Sequence, residues 1–159
     1  MSTPPDPHPR LSAAALAAIY AHARRDYPNE CCGIVFGPRG QRVADRVLVC
    51  ENIQDRLRAE EPARFMRGAR TGYNLDVSDI VTLKESLRGA SPARIVYHSH
   101  VDVGAYFSGA DQAGALVDGR PVYPIEYVVI DVRGDGPSGA RQFAWNLGQG
   151  RFVEVGAYA

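Results

Sequence analysis

The sequence predicts an α/β fold, a central mixed β-sheet flanked by helices, and three observations carry that expectation. Apolar, β-rich runs occur in turn-linked pairs near both ends of the chain; helical stretches precede and separate them; and one further β-rich run, ARIVYHSH, lies mid-chain between two helices. Tight turns make antiparallel neighbours, whereas a strand reached across a helix permits a parallel one. Both kinds of connection in one chain point to a sheet of mixed direction.

The stretch from Leu11 to Tyr27, LSAAALAAIYAHARRDY, is alanine-rich and sets Leu11, Ala15 and Ile19 on one stripe, which predicts a helix. Ser12 serves as its N-cap, with Leu11 and Leu16 spaced for a hydrophobic staple across it. His22 falls late in this helix, where a histidine complements the helix dipole. CCGIVFG and RVADRVLVC then read as a hairpin around Gly37-Pro38-Arg39-Gly40. Residues 51–74 show no convincing period and are expected to form a long, mostly irregular connection. Ile80, Leu83 and Leu87 mark a helix from Asp76 to Leu87, stopped near Gly89. A short helix follows Ser108 and is expected to end at Gly119. IEYVVID, ARQFAWN and RFVEV close the sheet, the first two joined across the turn-rich RGDGPSG. Residues 1–10, rich in proline, are expected to be a flexible tail, and residues 11–159 a single domain.

Composition narrows the function classes. Eighteen Lys and Arg balance eighteen Asp and Glu, so no global field favours nucleic acid or an anionic membrane. No apolar run is long enough for a membrane span or has the form of a signal peptide. Three cysteines, Cys31, Cys32 and Cys50, are odd in number and irregularly spaced. They read as reduced thiols and point to a cytoplasmic protein.

The chemistry concentrates in HSHVDVGAYFSGAD, residues 98–111. In a strand, alternate side chains share a face, so His98 and His100 project together, about 6.6 Å apart along the backbone. Two imidazoles so placed suit one metal ion, and a catalytic zinc site commonly takes three protein ligands. Asp102 and Asp111 compete for the third position; Gly104 makes a bend after Asp102 the expected course, and Asp111 is favoured. Each part alone has a plainer explanation. Ser108-x-x-Asp111 is a capping-box pattern, and a His-x-His in a strand is often polar surface. Their joint occurrence where a buried strand meets a helix is what points to a site. A hydrolytic reaction also needs a carboxylate to move a proton, and among Glu30, Glu51 and Glu126 the residue chemistry does not choose.

Glu30-Cys31-Cys32-Gly33, followed by His98-Ser99-His100, seven residues, Ser108, two residues and Asp111, resembles the JAMM motif of the MPN-plus zinc metalloprotease family, E then H-x-H-x7-S-x2-D. The five positions match in order and spacing, and the resemblance runs from about Leu11 to Phe152. The wording YPNECCGIVFG and YHSHVDVGAYFSGAD looks most like the small prokaryotic members, peptidases acting on ubiquitin-like sulfur-carrier proteins after the C-terminal glycine, in some cases releasing cysteine. The resemblance implies a deaminase-like sheet, one catalytic Zn2+ held by His98, His100 and Asp111, Glu30 as general acid/base and Ser108 as a stabiliser of the developing oxyanion. It implies amide hydrolysis, with zinc polarising the scissile carbonyl and Glu30 passing a proton from the attacking water to the departing nitrogen.

The implied partner is a ubiquitin-like sulfur carrier or its conjugate, with the arginine-rich 51–74 connection, Phe65 and Met66 included, as its expected docking surface. Two other metal-enzyme patterns lack residues here. The metallo-β-lactamase H-x-H-x-D-H would need histidine where Val103 stands, and the zinc-deaminase P-C-x-x-C is absent. The competing expectation is a non-catalytic scaffold or binding module on the same fold, a class that usually loses motif residues.

Overall fold

A computed structural model of the chain describes residues 8–159. The first seven residues of the expected tail lie outside the described residues. The next three are held against the domain, which moves the boundary forward from residue 11. His8 Nδ1 lies 2.6 Å from the Glu126 carboxylate, and the buried Pro9 carbonyl accepts a 2.6 Å bond from Gln142 Nε2. The Arg10 guanidinium stacks on the Tyr158 ring, 4.1 Å from its centroid.

In chain order the elements are β1 (Arg10–Leu11), α1 (Ala13–Asp26), β2 (Cys32–Phe36), β3 (Val43–Ala44), β4 (Arg46–Cys50), α2 (Gln54–Glu60), α3 (Val77–Ser86), β5 (Ala93–Val101), α4 (Gly109–Gly114), β6 (Leu116–Val117), β7 (Arg120–Pro121), β8 (Glu126–Arg133), β9 (Gly136–Asn146) and β10 (Arg151–Tyr158). Six strands form the central sheet in the order β10-β9-β8-β5-β2-β4. The β5–β8 pair is parallel and its other neighbours are antiparallel, so the sheet is mixed, as expected.

Ser12 caps α1 by accepting a 3.1 Å bond from Ala15 N–H. Leu11 leaves the helix for β1, where it pairs with Ala44, and packs in the same cluster as Leu16. The 51–74 connection is mostly irregular, as expected, but residues Gln54–Glu60 within it form α2, followed by a loop bonded back onto the helix start. One expectation needs correction. The short helix after Ser108 ends at Gly114, not Gly119. Asp118 and Gly119, with φ of 52° and 74°, instead turn the β6–β7 hairpin. An Asp-Gly pair with both φ positive suits the twist of a two-residue hairpin turn, and in sequence the same glycine resembles a helix stop.

The period of two along β5 divides the core. Ile95, Tyr97 and Val101 face α1, packing with Ala15, Ile19 and Ala23 and with Val128, Ile130 and Val132 of β8. Val96 faces the other side, among Cys32, Ile34, Leu83, Tyr127, Val129 and Phe152. Each such large apolar side chain contributes about 1.5–3 kcal/mol through burial. Gly33 pairs directly with Tyr97, and any Cβ at position 33 would collide with the tyrosine ring. The glycine therefore makes room for the aromatic residue that anchors β5 to the helix face.

Candidate active site

His98 and His100 emerge on the face of β5 opposite α1, both buried. What brings Asp111 back to them is the loop between. Asp102, at φ 62°, and Gly104, at φ 96°, turn the chain out of the strand. Phe107 then drives it back by packing on Tyr127, Phe143 and Phe152, with ring centroids 5.2, 5.4 and 5.4 Å away. Gln112 fixes α4 to β10 by donating to the Phe152 carbonyl and accepting from its N–H, at 2.9 and 3.0 Å. The capping box forms as the spacing predicts: Ser108 Oγ accepts from Asp111 N–H at 3.0 Å, and Asp111 Oδ2 accepts from Ser108 N–H at 2.9 Å.

Two imidazole nitrogens and both oxygens of one carboxylate converge as a result. His98 Nε2 and His100 Nε2 are 3.2 Å apart, His98 Nε2 is 3.2 Å from Asp111 Oδ1, and His100 Nε2 is 3.1 Å from Asp111 Oδ2. Ligands bound tetrahedrally to zinc at about 2.0–2.1 Å lie about 3.3 Å from one another, so the three residues form a triangle with separations close to those of ligands sharing one ion. His100 Nδ1 faces the Gly104 carbonyl at 3.1 Å. A proton there leaves the Nε2 lone pair free to bind a cation, the usual outer-sphere arrangement for a ligand histidine. Burial pulls His98 below its ordinary value, opposed in part by Asp111, and so favours the neutral ring. Burial works against the Asp111 charge, but the facing histidines and the Ser108 N–H outweigh it and hold its pKa well below the usual carboxylate range. Two imidazole nitrogens and one carboxylate facing a common point fit a divalent cation.

Glu30 lies two residues before β2. The antiparallel register pairs Cys32 with His98, and Ser99 N–H donates to the Cys31 carbonyl at 3.1 Å. Glu30 therefore sits at the end of the strand pair that carries the histidines. Its backbone is held by a 2.8 Å bond from its N–H to the Ala69 carbonyl and a 2.9 Å bond from Asn52 Nδ2 to its own carbonyl. Its side chain lines the same cavity of about 640 Å³ as His100, Ser108 and Asp111. Burial, reinforced by the Asp111 charge and opposed by Arg67, pushes its carboxyl up to about 8. Neither of the other two acids lines that cavity: Glu51 lines a neighbouring one, whose wall Glu30 also forms, and Glu126 bonds Gln142 and His8. Asp102 points away from the histidines, accepting from Tyr27 Oη at 3.0 Å and lying 3.7 Å from the Arg70 guanidinium.

Several contributors escape a reading of the sequence. Tyr73 stacks on His98 with centroids 4.3 Å apart, and Tyr106 meets His100 edge-on at 4.7 Å. Both rings restrict the imidazoles, and no periodic signal marks either residue. Within the 51–74 connection, the cavity is lined by Gln54 and 67, 70–74 rather than by Phe65 and Met66. Phe65 lies under the Arg64 guanidinium and Met66 is 79% exposed. The cysteines are inert thiols: burial pushes Cys31 and Cys50 up to about 12 and Cys32 higher still.

The sequence profile described as prokaryotic homologs of the JAB domain matches residues 12–147. The chain belongs to that family. Among curated proteins this JAB-domain chain is 32% identical over 102 residues to the CysO-cysteine peptidases of Mycobacterium tuberculosis and Mycobacterium bovis. The match covers 64% of this chain and spans 61% of the length of those relatives. Among solved structures, a protein from Desulfitobacterium hafniense superposes with a TM-score of 0.61 at 20% identity, covering 91% of this chain and 88% of its own. One from Salinibacter ruber gives 0.60 at 22%, covering 92% and 88%. At these identities the superpositions establish the α/β fold of the JAB-domain chain.

Proposed function

We propose that this chain is a zinc-dependent peptidase that hydrolyses the amide bond after the C-terminal glycine of a ubiquitin-like sulfur-carrier protein, releasing cysteine or another amino acid. The observation that carries this reading is the convergence of His98 Nε2, His100 Nε2 and the Asp111 carboxylate, within 3.1–3.2 Å of one another, on a cavity that Glu30 also lines. The kind of substrate is supported by the name of the mycobacterial relatives. Three unpaired thiols support a reducing, cytoplasmic setting.

His98, His100 and Asp111 would hold the zinc, which in such a position supplies Lewis acidity, polarising a carbonyl oxygen and acidifying water. Glu30 is the proton carrier. A carboxyl raised towards neutrality by burial exchanges protons readily near physiological pH, and its place in the cavity that His100 and Asp111 also line lets it take a proton from the attacking water and release it to the departing amine. Ser108 has one donor to offer: its oxygen already accepts from Asp111 N–H, leaving the O–H for an oxyanion developing on the scissile carbonyl. Tyr73 and the Gly104 carbonyl orient the imidazoles.

Intact-mass measurement of a carrier conjugate incubated with the zinc-supplemented protein tests the reading. Glu30→Gln should lower turnover by roughly 10²–10⁴-fold while zinc content stays at the wild-type level. No cleavage by the wild type, or full turnover by the variant, would sink it; carrier binding without cleavage would instead identify a binding module.

A further inference from the structure

Two arginines, Arg67 and Arg70, line the cavity that Glu30, His100 and Asp111 also line. Their circumstances differ. Arg70 has a counter-ion, the Asp102 carboxylate at 3.7 Å. Arg67 has none among the described residues; its side chain makes one long bond, 3.4 Å, to the Thr71 carbonyl. An arginine on a site rim that is left without an acid, while its neighbour is paired, is available to a ligand anion.

The backbone carrying Arg67 is constrained, which sets it apart from an ordinary exposed arginine. Buried Gln54 donates from Nε2 to the Arg67 carbonyl at 2.9 Å and accepts from Asn74 Nδ2 at 2.7 Å. Asp55 Oδ1 accepts from Ala69 N–H at 2.7 Å, and Asn52 Nδ2 donates to the Gly72 carbonyl at 3.0 Å. The Ala69 carbonyl in turn holds the Glu30 N–H. One short helix and its flanks therefore pin the arginine loop and the proposed proton carrier to each other. Such prior ordering lowers the entropic cost of binding at the loop.

We infer that Arg67 receives the free α-carboxylate of a single amino acid attached to the carrier glycine, so that this peptidase releases a terminal residue in preference to a lysine side chain or an internal peptide. The inference rests on the peptidase reading above. The chemistry follows from the charges present. A terminal residue carries its carboxylate on the residue that owns the scissile nitrogen, one carbon away from it, so the anion enters the cavity that Arg67 lines. A guanidinium can hold a carboxylate there by two parallel hydrogen bonds. A lysine side chain or continuing peptide presents a neutral group at that point and gains nothing from the arginine. In the step itself the C–N bond breaks, the water oxygen joins the glycine carbonyl carbon, and the water proton goes to the departing amino group through Glu30. Arg67 exchanges no atoms. The Coulombic influence of Arg67 on Glu30 supports its nearness to the reacting centre.

The test uses two peptides identical except at the end: one finishing in Gly-Gly-Cys with a free carboxylate, the other with a carboxamide. The zinc-supplemented wild type should favour the carboxylate by roughly 10- to 100-fold in kcat/KM, mostly through KM, the range of a hydrogen bond to a charged group. Arg67→Gln should bring the ratio near one, and Arg67→Lys should restore part of it. A purely structural role, or one exerted only through Glu30, would alter both peptides alike and leave their ratio intact, which overturns the inference, as does equal cleavage by the wild type. Binding to zinc-supplemented Glu30→Gln separates the two proposals. Carboxylate-dependent binding that needs Arg67, without hydrolysis by the wild type, removes the peptidase reading and leaves only the carboxylate site at Arg67 standing; carboxylate-independent binding, or none, overturns that site as well.

Discussion

The two faces of β5 each carry an ionisable cluster built around a buried histidine, and they have opposite fates. On the α1 face, His22 is 3% exposed, bonds Tyr97 Oη through Nδ1 at 2.7 Å and has Nε2 3.1 Å from Asp26. On the other face His98, at 0% exposure, meets His100 and Asp111. Burial lowers the pKa of both histidines, and an aspartate opposes the shift in each. Depth and a shifted pKa therefore do not separate a structural histidine from a functional one. The partners do. His22 faces a hydroxyl, which bonds Nδ1, and a lone carboxylate near Nε2, with no second imidazole to share an ion. His98 Nε2 faces another imidazole Nε2, and two lone pairs aimed at each other are relieved only by a proton or a cation between them.

That contrast can be broken most sharply at His98. His98→Ala should lower zinc affinity by at least about 100-fold, since even outer-sphere partners of a metal are worth 10–100-fold. Calorimetric zinc titration checks this, and wild-type affinity in the variant would erase the distinction between the faces. Glu30 offers the next effect, a few kcal/mol in chelator-treated protein. Its folded pKa of about 8 stands above the ordinary 4.5, so the folded state keeps a proton that the unfolded state releases. Stability contributed by that proton is full below about 4.5 and is lost as pH rises through about 8. The stability advantage of Glu30→Gln over the wild type should thus grow between pH 5 and pH 9 in denaturant melts; a pH-independent difference would refute the buried-acid assignment.

His22→Ala should cost about 1–3 kcal/mol by leaving the buried Tyr97 hydroxyl without its partner. Zinc content should not change, which is the mirror of His98→Ala. Smallest is Asp102→Asn. An exposed acid outside the donor triangle should shift stability by no more than about 0.5 kcal/mol and leave zinc binding alone. A large loss of zinc there would reopen the competition between the two aspartates.

The motif-bearing elements are legible locally. Alternation along ARIVYHSH places His98 and His100 on one face, and Ser108-x-x-Asp111 forms the capping box its spacing announces. The 51–74 connection is not legible. Its helix is held by side-chain bonds from Asn52, Gln54 and Asp55 to loop carbonyls and amides 13 to 22 residues away, and such contacts leave no periodic trace. The same holds for the β6–β7 hairpin, where Asp118-Gly119 reads equally as a helix stop and as a turn.

By itself the sequence determined the α/β class, the family pattern and the residue types of the candidate site, because these depend on short-range period, capping chemistry and spacing. Only the tertiary structure decided which atoms meet. The pairing of β2 with β5 brought Glu30 and His100 to one cavity, the Phe107 packing returned Asp111 to the strand end, and the loop after α2 brought Arg67, without a counter-ion among the described residues, to the rim. Those outcomes rest on contacts between residues distant along the chain, whose energies come from burial and from satisfying polar groups in one particular fold.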